Sequence, residues 1–95
     1  MSIEEMAYRI EVTPRARKNL RALPKRERQR TAEQIDALKT DPRPTGCKKL
    51  KGRKDFYRIR VGDYRVVYQI KDEVLLILIV RIGNRKETYE IIRRL

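Results

Sequence analysis

The sequence predicts an α+β fold: an N-terminal strand and a helical hairpin packed on a small antiparallel β-sheet, with a short C-terminal helix. Three observations predict it. Ala16, Leu20 and Leu23 recur at helical spacing, and a second helical segment restarts after Pro24. The stretch FYRIRVGDYRVVY, residues 56–68, alternates in character on either side of Gly62-Asp63. The run VLLILIV, Val74–Val80, is apolar at every position.

Taken in order, Tyr8–Val12 alternates and reads as the first strand. Thr13 followed by Pro14 supplies an N-cap and a first helical position, so a helix begins there. Pro24 restarts the chain into a second helix that runs to about Lys39, with Ile35 and Leu38 facing inward. The prolines and glycine of TDPRPTG, Thr40–Gly46, mark a loop, and the basic KKLKGRK beyond it leads into the strands. Gly62-Asp63 is a two-residue hairpin signal of type II′. That turn sets Val61 opposite Tyr64 and Arg60 opposite Arg65, with Arg58 on the same face as the two arginines. The other face carries Tyr57, Ile59, Val61, Tyr64, Val66, Tyr68 and Ile70, and it is the expected core. Lys71-Asp72-Glu73 makes the next turn, Val74–Val80 reads as a central strand covered on both sides, and a short helix is expected from about Arg85. Residues 1–95 are expected to form one domain.

The charge narrows the function. Lys and Arg number 25 against 13 Asp and Glu, a formal net charge of +12. Such an excess favours a polyanionic partner, nucleic acid or an acidic protein, over a neutral metabolite. Cys47 is the sole cysteine and there is no histidine, which excludes a disulfide framework, a Cys/His zinc site and a Cys/His nucleophile pair. Catalysis without histidine falls to Lys, Arg, Tyr or a carboxylate, and no cofactor is expected. MSIEEMAYRI lacks the pattern of a signal peptide, and Val74–Val80 is too short to span a bilayer. These features lead us to expect a cytoplasmic protein with no membrane partner.

Arginines facing one another across a hairpin destabilise it, so Arg60 opposite Arg65 calls for a reason beyond folding. A solvated face that discourages edge pairing is one reason. Phosphate recognition is the better one, because guanidinium groups bond phosphate oxygens in pairs and a rigid sheet holds several at fixed separation. Tyr89 either packs its ring on the sheet edge or stacks on an unpaired base.

The basic KKLKG loop, the Y-R-I-R strand, the GDYRVVYQI strand, the apolar strand and the terminal G-N-R-K-E-T-Y together resemble the RelE toxins of the RelE/ParE toxin–antitoxin superfamily, over about residues 8–89. The resemblance implies a ribosome-dependent mRNA endonuclease that enters the aminoacyl site and cleaves the exposed codon, with a cognate acidic antitoxin as partner. It places Arg58 and Arg60 at two basic positions of the family's second strand and Arg65 where charge on the phosphate is stabilised. It gives Arg85 leaving-group protonation or charge stabilisation and Tyr89 the positioning of the substrate base. Lys49, Lys51, Arg53 and Lys54 of the basic loop are expected to bind RNA. Well-studied relatives carry lysine at the positions of Arg58 and Arg60, the second proposed as the base for the 2′-hydroxyl. Arginine stays protonated, so the base falls to Lys51 or Lys54, to a ribosomal RNA group, or to none. Two other readings use the same composition: a ParE-like inhibitor of DNA gyrase without a nuclease site, and a non-catalytic RNA-binding protein.

Overall fold

The computed structural model describes residues 7–84. Strand β1 (Arg9–Val12) is followed by helices α1 (Pro14–Arg21) and α2 (Lys25–Ala37), then β2 (Lys48–Lys49), β3 (Phe56–Val61), β4 (Tyr64–Lys71), a 3-10 turn (Asp72–Val74) and β5 (Leu76–Asn84). The helix expected from about Arg85 lies outside the described residues, as do Arg85 and Tyr89.

Thr13 caps α1 as its sequence predicts, its Oγ1 accepting the Ala16 N–H at 3.1 Å with Pro14 behind it in the first turn. Pro24 opens α2, where it has no N–H to lose. Thr31, Ile35 and Leu38 then recur on one buried face at 0, 6 and 1% exposure.

The sheet order is β1-β5-β4-β3-β2. Its strands are antiparallel except that β1 runs parallel to β5, so the predicted α+β fold carries a mixed sheet. The crossover needed for a parallel pair is supplied by the helix hairpin and the three strands that follow it. Both helices pack on one face of the sheet. Ala16, Ile35 and Leu38 join Ile59, Val66, Tyr68, Ile70, Ile77, Ile79 and Ile82 in one cluster. Each fully buried isoleucine there contributes about 1.5–3 kcal/mol of transfer free energy.

The apolar run behaves differently from its sequence reading. Val74 is 60% exposed and Leu75 39%, both in the 3-10 turn and its cap, and the strand starts at Leu76 and continues to Asn84. β5 therefore lies between β1 and β4, one place from the edge, and β4 is the central strand. Within β5 a bulge intervenes: Val67 pairs with Arg81 but Tyr68 pairs with Ile79, leaving Val80 as the extra residue. Ile77 and Ile79 face the helices before the bulge and Ile82 faces them after it.

Candidate functional site: a cationic sheet face

The face of the sheet turned away from α1 and α2 is built in cross-strand rows. Arg60, Arg65 and Gly83 form the row nearest the β3–β4 turn. Lys48, Arg58, Val67 and Arg81 form the next, and Phe56, Gln69, Leu78 and Glu11 the third. Five basic side chains thus occupy two adjacent rows, about 6.6 Å apart along the strands. The turn that fixes this register has Gly62 at φ +60°, and Asp63 is not in the positive-φ region, the pattern of a type II′ turn.

The arginines differ in their surroundings. Arg60 is exposed and Arg58 half-buried, whereas Arg65 retains 8% exposure and is held by neighbouring groups. A guanidinium nearly withdrawn from water, beside an exposed one, makes a rigid donor next to an accessible donor. That pairing suits an anion that must be both gripped and approached.

The structure separates the basic loop residues. Lys48, in register with Arg58, shares the cationic face, while Lys49 stands opposite Tyr57 and belongs to the other face of the strand. Lys51, Arg53 and Lys54 are exposed in the turn between β2 and β3, which curls around an open hollow of about 500 Å³. Asp55 closes this turn at φ +65°, in the left-handed region, and its carbonyl accepts the Ile70 N–H at 2.9 Å. Sequence reasoning missed Lys48, Arg81 and Phe56 on the cationic face. A register for β2 would have supplied the first, and Phe56 is visible in the alternation of FYRIR itself, but Arg81 has no local signal.

A polar network anchors the loop that feeds this segment. Arg43 pairs with Asp72 at 2.8 Å, donates through Nε to the Tyr57 hydroxyl at 3.2 Å and lies over the Tyr57 ring at 5.1 Å. Tyr8 donates to the same Asp72 carboxylate, and the Tyr68 hydroxyl donates to the Pro42 carbonyl at 2.7 Å. The hydrogen bonds from Arg43 and then Tyr8 hold the Asp72 carboxyl below its ordinary value. Burial, followed by the neighbouring Cys47, pushes the Tyr68 phenol well above its own. The network ties residues 42–43 to β3, β4 and the 3-10 turn, so the chain enters β2 from a fixed point.

Among the described residues no helix is long and apolar enough to cross a membrane.

Comparison with known proteins accounts for the arrangement. The family of ParE toxins of type II toxin–antitoxin systems (parDE) matches residues 10–89. The mRNA interferase toxin RelE of Escherichia coli is 32% identical over 85 residues, 87% of this chain and 88% of that protein. In the archaeal RelE–RelB complex from Pyrococcus horikoshii, a chain 35% identical superposes with a TM-score of 0.75, covering 84% of this chain and 97% of that one. The isolated E. coli RelE toxin superposes with a TM-score of 0.73 at 27% identity, covering 94% of this chain and 100% of that one. With its helix hairpin, its five-stranded sheet and its paired arginines in that company, the chain belongs to the RelE/ParE superfamily of type II toxins, as a RelE-type member.

Proposed function

We propose that the chain is the toxin of a type II module and an endoribonuclease that cleaves mRNA in the ribosomal aminoacyl site, in the cytoplasm. The observation that carries this reading is the pairing of Arg60 with Arg65, with Arg58 beside them on a sheet face that no described helix covers. The E. coli relative is named for cleaving mRNA, and the interferase chemistry suits this face. The ribose 2′-hydroxyl attacks the adjacent phosphorus, the P–O5′ bond breaks, and the products are a 2′,3′-cyclic phosphate and a 5′-hydroxyl. Arg65 stabilises the charge that grows on the non-bridging oxygens, and Arg58 and Arg60 clamp the phosphate in line. Arg85 supplies the leaving oxygen's proton or its charge stabilisation, and Tyr89 holds the base. No histidine is present and a guanidinium is a poor base, so the base for the 2′-hydroxyl is Lys51, Lys54, a ribosomal RNA group or none, orientation and charge stabilisation then carrying the step. The ribosome supplies the in-line geometry, and naked RNA is a poor substrate. A cognate acidic antitoxin, the counterpart of the RelB in the archaeal complex, binds the basic protein and silences it.

The test is addition of purified protein to a translation extract with mRNA ends mapped by primer extension, alongside a gyrase supercoiling assay. Cleavage within ribosome-bound codons supports the proposal. The family matched by residues 10–89 takes its description from ParE, so inhibition of supercoiling without cleavage replaces it with the gyrase reading.

A further inference from the structure

The cationic face continues past the three arginines of the hairpin. Arg81 stands in the row of Arg58 with Val67 between them, so the two arginines flank Val67 from either side, with Cα atoms about 10 Å apart across three strands. β1 pairs with β5 only as far as Ile79, and α1 takes over that edge. Thr13 donates its N–H to the Ile79 carbonyl at 3.0 Å and its Oγ1 to the Val80 carbonyl at 3.3 Å, and Asn19 Oδ1 accepts the Ile82 N–H at 3.2 Å. These bonds grip β5 on both sides of Arg81 and hold the first turn of α1, with Arg15, alongside it. Neither arginine has an acidic partner among the described residues. Burial, and then the Arg15 charge, reduce the proton affinity of Arg81 below that of ordinary arginine. Two like charges held on neighbouring segments, with no acidic partner among the described residues, repel each other, and a bound anion would relieve them.

We infer that Arg15 and Arg81 jointly hold one RNA phosphate at the β5 edge of the cationic face, beyond the hairpin arginines, and so position the RNA rather than act on the scissile bond. This rests on the proposed endonuclease reading for its substrate but not for its test. The phosphate belongs either to mRNA or to ribosomal RNA.

The full chain and its Arg81→Gln, Arg15→Gln and Arg9→Gln variants are titrated with an uncleavable 2′-O-methyl oligoribonucleotide and, separately, with vacant ribosomes, at several salt concentrations. Arg9→Gln removes the same charge from an exposed arginine that already pairs with Glu11 at 3.2 Å, and it serves as the control. The expected result is a loss of about fivefold in affinity for Arg81→Gln and for Arg15→Gln, with the slope of log Kobs against log salt reduced by about 0.7. Arg9→Gln should stay within about twofold of wild type. A loss on the oligonucleotide assigns the phosphate to mRNA, and a loss confined to ribosomes assigns it to ribosomal RNA. Thermal melting separates this from a structural role, since removing one of two facing cations leaves Tm unchanged or higher. Binding of Arg81→Gln equal to that of Arg9→Gln in both titrations, or a lowered Tm that accounts for the loss, overturns the inference. If wild-type protein fails to cleave ribosome-bound mRNA while the Arg81-dependent binding persists, the endonuclease reading falls and the phosphate site stands.

Discussion

Replacing Arg60 by glutamine should make the protein more stable and less active at once. Arg60 lies directly across the non-core face from Arg65, which is only 8% exposed and engaged by neighbouring groups. Like charges directly opposite in a strand pair cost about 0.2–1 kcal/mol. Glutamine keeps the aliphatic stem over the sheet while removing the charge, and a gain of about 0.5 kcal/mol corresponds to a rise in Tm of about 2–4 °C for a domain of this size. If the guanidinium clamps the phosphate, the same change removes a stabilising donor and lowers cleavage on stalled ribosomes by about two orders of magnitude, near 2.7 kcal/mol. Circular dichroism melts read the first effect and primer extension the second. A fall in Tm with unchanged cleavage would refute both halves, showing Arg60 to be a structural residue. Arg60→Lys then separates clamp from base. A clamp loses its bidentate geometry and activity falls without new pH dependence, whereas a vacated base position regains activity that rises with pH below about 9.

Arg65→Lys should lower cleavage by at least tenfold in a single-turnover assay, because the charge remains but the planar donor fork is lost. Asp72→Asn should lower stability by about 1 kcal/mol or less, since the Arg43 pair is half-exposed. The Asp72 carboxyl is depressed in the folded state, so its contribution is present above the ordinary value of 3.8 and is lost as pH falls below it. Acid melts of wild type and Asp72→Asn should therefore converge at low pH, and a constant difference down to pH 2 would contradict the assignment. Tyr68→Phe removes the donor to the Pro42 carbonyl at a fully buried side chain and should cost about 1–2 kcal/mol in urea unfolding. Gly62→Ala meets no clash, its nearest atom being Arg30 Nη1 at 3.6 Å, but it forces φ +60° on an L side chain and should cost about 1–2 kcal/mol by the same measurement.

The hairpin was legible in the sequence because its determinants are local. Gly62 fixes the turn, the turn fixes the register, and side chains alternate with period two, so Arg60 opposite Arg65 follows from a few consecutive residues. The same holds for α1, whose start is set by Thr13 and Pro14 within a single turn. What tertiary structure alone decided involves residues far apart in the chain. Alternation from Ile77 and Ile79 would turn Arg81 toward the helices, but the bulge at Val80 shifts the phase so that Ile82 fills the core and Arg81 joins Arg58. No short-range signal announces that bulge. β1 joins β5 in parallel across more than sixty residues of intervening chain, and Lys48 rather than Lys49 shares a face with Arg58 because of a two-residue strand too short to show a period. The partners of Asp72, at Tyr8 and Arg43, come from two other segments of the chain. Sequence therefore determined the local geometry of the arginine hairpin, and packing determined which distant cations stand beside it, because a strand's register against remote neighbours depends on the fit of the whole core.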